Sequence, residues 1–504
     1  MISLYDEGPY PSCPAPFNMA AHVMQAGQKT PDKDALLVVG SDFLERWTYD
    51  RLRKAIAGAA TGMLQQGLSA GDVVLMRLGN TVDFPIVFLG ALAAGLVPVP
   101  TSAALTAPET AFVIETVRPR LVLRDPQVAC ADGQKEIGLA QLQSWRNLPA
   151  GAFDLGDPNR LGYIIFTSGT AGKPRAVAHA HRAIWARQMM FEDWYGLRED
   201  DRVLHAGAFN WTYTLGTGLM DPWTRGATAI IPAPGTASED LPNLLRKQKA
   251  TIFAAAPGVY RQMLKRADCQ GLVNLRHGLS AGETLAPELA QKWRDATGRE
   301  VLQAYGMTEC STFISQRPHR KTGSAGMGRP QRGRRVAVVE NGAPVPRGTE
   351  GTIAISRRDP GLMLGYIGAA EETEKRMSGE WFLTGDRAVM EESGDLMYMG
   401  RNDDMMNAGG YRVSPLEVES VLGRVEGIDT VAVTDVEVKE NTTVIAAFYT
   451  GPVALDDALL QQHVSRELAR YKHPRMFVHL PELPVGPNGK ILRRELRNRF
   501  RRQT

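Results

Sequence analysis

Residues Tyr163 to Arg175, YIIFTSGTAGKPR, set an apolar run against a loop of small, hydroxyl-bearing and cationic residues. Tyr163, Ile164, Ile165 and Phe166 are β-branched or aromatic, the composition of a buried strand. Gly169 and Gly172 accept backbone angles that let successive N–H groups converge on one anion. Thr167, Ser168 and Thr170 add hydroxyl donors, and Lys173 and Arg175 add positive charge. A strand that ends in such a loop reads as a phosphate-binding element. It is not a Walker loop, in which four residues separate the glycines and Ser or Thr follows the lysine; here two residues separate them and Pro174 follows Lys173. A Gly-rich surface turn has the same local pattern, and only the remainder of the chain separates the two readings.

That remainder is long. At 504 residues the chain exceeds one ordinary core and suggests about three units at roughly 150 residues each. Hydrophobic residues make up 43% and charged residues 22%, and the net charge is +3, so there is no basic field to argue for nucleic acid. Met1 to Pro16 has neither the basic start nor the apolar run of a secretory leader. The longest apolar stretch, Phe84 to Pro100, is broken by Gly95, Pro98 and Pro100 and falls short of the roughly 20 residues that span a bilayer. It reads as a buried helix from about Asp83, ended near Gly95, and then a short strand. Cys13, Cys130, Cys269 and Cys310 are far apart without CxxC spacing, which fits reduced thiols. A cytoplasmic protein with no membrane span and no nucleic-acid partner is expected.

Before the loop, Arg53 to Gln66 reads as a helix ended by Gly67 and Val73 to Arg77 as a strand, an alternation that argues for α/β layers. Pro126 to Pro158 is mixed and polar and reads as an excursion rather than core. After the loop, His179-Ala-His181 on a strand would put both imidazoles on one face, but no third ligand lies nearby and a metal site is not expected. Arg182 to Trp194 reads as an amphipathic helix. His205 to Trp223, HAGAFNWTYTLGTGLMDPW, contains Phe209, Trp211, Tyr213 and Trp223 but no Lys or Arg. It is either an aromatic core helix or the wall of an apolar pocket, and a pocket so lined would take acids with neutral, apolar tails.

Further stretches follow in order: Ser280-Ala-Gly-Glu283 with Thr284; Gln303-Ala-Tyr-Gly-Met-Thr-Glu309; Trp381-Phe-Leu-Thr-Gly-Asp386; Gly400-Arg-Asn-Asp-Asp404, which leads to Gly409, Gly410 and Arg412; and Pro487-Asn-Gly-Lys490. Each alone is a turn or a helix start. Together with TSGTAGKPR they resemble the adenylate-forming superfamily of acyl-CoA synthetases, luciferases and peptide-synthetase adenylation domains, most nearly its medium-chain acyl-CoA and benzoate-type CoA ligases. The resemblance extends from the phosphate loop to Lys490. Arg175 stands where Lys is common and Ala176 where Gly is common.

The resemblance implies an α/β fold with a large multi-layer N-terminal domain, residues 1–402, and a small mobile α+β C-terminal domain, residues 403–504, hinged near Asp403. It implies an ATP-dependent acid:CoA ligase that forms acyl-AMP and pyrophosphate, then acyl-CoA and AMP, on an aromatic or medium-chain acid. ATP, Mg²⁺ and coenzyme A are the implied cofactors and co-substrates. Thr167, Ser168, Gly169, Thr170, Gly172 and Lys173 would hold phosphate, and Gly282, Glu283, Thr284 and Tyr305 the adenine. Thr308 would bond the α-phosphate, Glu309 hold Mg²⁺, Asp386 accept the ribose hydroxyls, and Arg401 face the nucleotide. Phe209, Trp211, Ala304 and Gly306 would line the acid pocket. Gly409, Gly410 and Arg412 would border the pantetheine path, and Lys490 would be a mobile cation delivered to phosphate. The Arg-rich tail, Arg493 to Arg502, reads as a solvated helix face. No carrier segment follows Lys490, which argues against a fused synthetase module. An acyl-AMP ligase that loads a separate carrier and a nucleotide-binding protein without turnover are the other readings, and a homodimer is compatible with all three.

Two substitutions separate the half-reactions. Lys490→Ala should abolish acyl-AMP formation and leave transfer from supplied acyl-AMP to the thiol largely intact, because the cation is needed only where charge builds at phosphorus; equal loss in both steps refutes that role. Gly410→Leu should do the reverse, blocking thiol transfer at an unchanged melting temperature. A fall in stability with both steps declining together would instead make Gly410 a turn glycine.

Overall fold

The computed structural model describes residues 1–504 apart from 168–173, 283, 284, 286, 319, 321–325, 402–405, 409, 410, 414, 440, 441, 485–490, 492 and 502–504. The expected domain boundary and the hinge residue Asp403 fall outside the described residues. The alternating helix and strand patterns form the expected mixed α/β architecture, with a large N-terminal part and a small C-terminal part.

The largest sheet has 16 strands. Six of them, Asp34–Val39, Thr228–Pro232, Arg202–His205, Ile252–Ala255, His277–Ala281 and Val301–Met307, pair in parallel. They are short and almost wholly apolar or small, as strands buried on both faces must be. At Val301–Met307 the pairing turns antiparallel, through Ser311–Ser315 and Gly326–Pro330 to Leu396–Arg401 and Trp381–Met390. Two smaller sheets lie beside it. One is four-stranded and parallel, built on Val73–Arg77 and Val97–Pro100. In the other, Leu161–Thr167 and Arg175–Ala180 pair antiparallel, completed by Gly365–Tyr366, and residues 168–173 fall between those two strands in the sequence.

The apolar stretch after Thr81 behaves as expected. Asp83–Ala93 is a helix with every residue buried, followed by the strand Val97–Pro100. Pro126 to Pro158 does not: Leu142 and Trp145 in the Leu139–Trp145 helix belong to the core. Trp145 lies against the Tyr49–Gln65 helix where Gly62 leaves room, since a Cβ there would come within 2.3 Å of the indole. Arg182 to Trp194 is not one helix either. An α-turn at Ala183–Arg187 gives way to a π-turn at Phe191–Tyr195, and the wider turn lets Trp194 and Tyr195, adjacent in sequence, both be buried.

In the C-terminal part, Thr430–Lys439, Thr442–Thr450 and Met476–His479 form a three-stranded sheet, flanked by the helices Pro415–Leu422, Asp457–Glu467 and Arg493–Arg501. The Arg-rich helix is amphipathic rather than solvated all round. Leu496 and Phe500 are buried, and Arg493 and Arg497 pair with Glu419 and Asp435. The two parts meet at a polar joint: the buried Lys472 Nζ lies 2.8 Å from Glu109 and 2.7 Å from Glu417, and Thr106 Oγ1 donates to the Glu467 carbonyl at 3.2 Å. Burial raises the Glu417 carboxyl above its usual range, against the pull of Lys472.

Four histidines are held neutral inside the large part. Desolvation lowers His22 and His179 to about 4, and His181 and His205 to about 3. The geometry agrees for two of them, because His181 Nδ1 and His205 Nδ1 accept backbone N–H groups from Met19 and Gly207. Unfolded, each would bind its proton near 6.5. Their folded values are depressed, so the unfolded chain takes up more protons, and stability is lost as pH falls from about 6.5 towards 4. Each group contributes a slope of up to about 1.4 kcal/mol per pH unit, while Glu417 works in the opposite sense. Thermal unfolding should therefore occur at a clearly lower temperature at pH 5.5 than at pH 7.5, with net proton uptake. Equal midpoints would contradict the neutral burial of these rings.

Candidate active site

A cavity of about 430 Å³ lies between the Leu161–Thr167/Arg175–Ala180 hairpin, the π-turn Thr214–Met220 and the turn that follows Val301–Met307, and it runs on to Tyr411 and Tyr471 of the C-terminal part. This is the size of a small-molecule site.

The turn after Val301–Met307 is fastened from several sides. Gly306 sits so close to the returning strand that a Cβ would meet the Ser311 carbonyl oxygen at 2.3 Å, and the pairing register shifts there. His179 Nε2 lies 2.9 Å from the Thr308 carbonyl oxygen. Since the ring is neutral near pH 7, with burial taking it down to about 4, its single N–H is the one donated to that carbonyl. Nδ1 is then a buried acceptor with no partner among the described residues. The imidazole lies flat against Tyr163, with centroids 4.8 Å apart. His179 is thus a brace, and no group of three metal-ligating side chains occurs among the described residues.

Glu309 is buried, and its Oε1 accepts the Tyr366 hydroxyl at 2.6 Å. Arg175 stands 5.3 Å over the Tyr366 ring and pairs with Glu372. Asp386, also buried, accepts the hydroxyls of Tyr305 at 2.6 Å and Tyr398 at 3.3 Å. Burial first, then Asp386, pushes the Tyr305 phenol well above its usual value, so it serves as a donor. Arg401 is the register partner of Asp386 across the antiparallel pair, which brings two stretches of the sequence side by side.

Gly282, at φ +93°, follows the His277–Ala281 strand and lines the cavity, as do Thr167, Gly306, Thr308 and Trp211. Phe209 and Ala304 do not. Phe209 is buried in the core, stacked on Phe84 at 6.1 Å, because its backbone N–H is drawn inward to Asn80 Oδ1 at 2.7 Å; Ala304 faces the cluster around Trp194. Arg412 lies on the Tyr411–Val413 strand, paired with Asn407. Ser168, Gly169, Thr170, Gly172, Lys173, Glu283, Thr284, Asp403, Gly409, Gly410 and Lys490 lie outside the described residues.

The cavity wall is not free of cations. Arg187, from a neighbouring turn, lines it together with Tyr213, Thr217, Ser311 and Thr312. Its guanidinium pairs with the fully buried Asp221, Nε to Oδ1 at 2.8 Å and Nη2 to Oδ2 at 2.6 Å. Burial works against that charge, but Asp221 and Tyr195 hold it above its usual value. One sequence signal pointed this way. Asp221 is an acid in an otherwise apolar stretch, and a buried carboxylate requires a cation from elsewhere. Tyr366 and Tyr398 carry no local signal at all.

Comparison with known proteins places this geometry in a family. Residues 23–367 match the model for AMP-binding enzymes, and residues 417–490 match the model for their C-terminal domain. The chain is 30% identical to a benzoate–CoA ligase of Thauera aromatica, with 90% of each chain covered. It is 27% identical to a mitochondrial acyl-coenzyme A synthetase of Rattus norvegicus, over 96% of this chain and 91% of that one. Among solved structures, a benzoate CoA ligase of Burkholderia xenovorans superposes with a TM-score of 0.70 at 26% identity, over 95% and 100% of the two chains. The o-succinylbenzoate CoA synthetase of Bacillus subtilis, bound with a product analogue, superposes with a TM-score of 0.84 at 22% identity, over 95% and 98%. This chain belongs to the AMP-binding enzyme family.

Proposed function

We propose that this enzyme is an AMP-forming acid:CoA ligase acting on an aromatic or medium-chain carboxylic acid. The observation that carries the reading is the single cavity that joins the Thr308–Glu309 turn to the aromatic faces of Tyr411 and Tyr471 in the C-terminal part. Two reactions of one carboxyl group need such a shared space: its oxygen attacks phosphorus first, and a thiol then attacks its carbon.

In the first step the substrate carboxylate bonds to the α-phosphorus and pyrophosphate leaves. In the second, a thiolate sulfur bonds to the acyl carbon and AMP leaves. Two anions must meet in the first step, so the protein's part is mainly positioning and cationic neutralisation. Asp386, already the acceptor of two phenols, suits a ribose diol, with Arg401 beside it in register. Tyr305 offers its ring to adenine, and Gly282 leaves the backbone open to it. The Thr308 hydroxyl and the phosphate-loop residues Thr167, Ser168, Thr170 and Lys173 suit phosphate. Glu309 suits Mg²⁺, since one carboxylate with substrate phosphate oxygens is a usual set for that ion, which supplies charge neutralisation when bound. Lys490 serves the first step, and rotation of the C-terminal part about Asp403 then exchanges it for the face that carries Gly409, Gly410 and Arg412.

A release assay for pyrophosphate over a panel of carboxylic acids, with and without CoA, tests the reading. Benzoates and medium-chain acids should release pyrophosphate and yield thioester only when CoA is present. Acetate should be poor, because it leaves most of a 430 Å³ cavity unfilled. Acyl-AMP accumulation that CoA does not discharge would favour a ligase for a separate carrier protein, and the absence of any turnover a binding protein.

A further inference from the structure

We propose that the acid activated here is aromatic and carries an oxygen substituent on its ring, a hydroxyl or alkoxy group, held by Ser311 against the Arg187–Asp221 pair. The inference rests on the reading of this cavity as the acid pocket of a CoA ligase.

The pair is placed with care. Gly216 is the residue over which the guanidinium lies, and a Cβ there would come within 2.3 Å of Arg187 Cζ. Tyr195 OH donates to Asp221 Oδ2 at 2.7 Å and lies 2.7 Å from the Oγ1 of Thr217, which itself lines the cavity. On the cavity side Arg187 Nη1 donates to Ser311 Oγ. Ser311 holds a φ of +63°, a left-handed conformation that residues other than glycine rarely adopt and that needs support from its surroundings. Ser311 and Arg187 both line the cavity.

The chemistry of the substituent follows. Ser311 Oγ accepts from a cation, which polarises its own O–H as a donor, and that hydrogen has no acceptor among the described residues. A donor so placed wants an uncharged oxygen acceptor on the ligand. A second carboxylate does not fit beside Ser311, because Asp221 already neutralises Arg187 and an added anion would be buried next to the Asp221 carboxylate. Tyr213 and Trp211 share a wall of the cavity, their ring centroids 5.1 Å apart and their planes perpendicular. Tyr163 and His179, stacked on each other, also line the cavity, and an aromatic lining favours a ring over a flexible chain.

The test compares kcat/KM for CoA thioester formation among benzoate, the ring-position isomers of hydroxy- and methoxybenzoate, and the methylbenzoates of matching shape. For at least one ring position the oxygen substituent should be preferred to methyl by about tenfold to a hundredfold. Ser311→Gly removes the hydroxyl while suiting the positive φ; it should erase that preference, chiefly through KM, without lowering the melting temperature. The double substitution Arg187→Met with Asp221→Leu leaves no buried charge unpaired and should shift preference to the methyl isostere. Wild-type indifference between oxygen and methyl, preference for a dicarboxylate, or a Ser311→Gly enzyme that keeps the preference overturns the inference, while turnover of plain benzoate or medium-chain acids leaves the ligase reading standing. Failure of every acid to give pyrophosphate and thioester overturns both.

Discussion

The polar groups around the cavity are set by how one short turn is held, the turn between Met307 and Ser311 where the large sheet passes from parallel to antiparallel pairing. A turn at such a switch has no repeating ladder to fix it, so its backbone groups must find partners from other segments. Here they do. His179 takes the Thr308 carbonyl, the Met363 N–H donates to the Glu309 carbonyl at 2.8 Å, Tyr366 holds the Glu309 side chain, and Arg187 meets Ser311. These partners come from the phosphate-loop hairpin, its added strand and the turn below it. The turn is therefore a knot between sheets, and displacement of any tie moves both the carboxylate of Glu309 and the wall of the cavity.

The ties are built from buried charge and buried neutral rings, and the two carry different risks. Arg187 with Asp221 and Arg334 with Asp359 are ion pairs almost wholly out of water. Such a pair contributes little net stability, yet loss of one partner strands the other and costs about 3–5 kcal/mol. Neutral His179 carries no such liability near pH 7, and its cost appears only when acid forces a proton on it. The site is thus rigid by geometry rather than by net attraction.

Much of the frame was legible. The apolar run at Phe84 to Pro100 and the strand Tyr163 to Phe166 have the composition of the elements they form, because local propensity and burial agree there. The motif order identified the family, through short stretches such as TSGTAGKPR, Gln303 to Glu309 and Trp381 to Asp386. What was not legible depends on partners distant in sequence. Phe209 turns inward because of Asn80, Trp145 is core because Gly62 makes room for it, and the helix expected at Arg182 to Trp194 breaks into a π-turn because Trp194 and Tyr195 both find apolar neighbours. Arg187, one of the cations that line the pocket, could not be identified from the segment His205 to Trp223, which shows only the Asp221 that calls for a cation, because the arginine lies 34 positions earlier on a separate element.

The joint between the two parts follows the same logic at larger scale. Trp211 stacks near Tyr411 at 6.5 Å and Tyr411 on Tyr471 at 4.1 Å, while Lys472 is shared between Glu109 and Glu417. An interface sealed by apolar area alone would gain about 25 cal/mol for each Å² removed from water and would resist reopening. A desolvated lysine between two carboxylates instead sets Coulomb attraction against the loss of hydration, terms that nearly cancel. Parting the two surfaces returns all three charges to water together, with none left buried alone. A contact of that composition specifies one docked arrangement without making it deep, which is the property a small domain needs if it is to serve two half-reactions in turn.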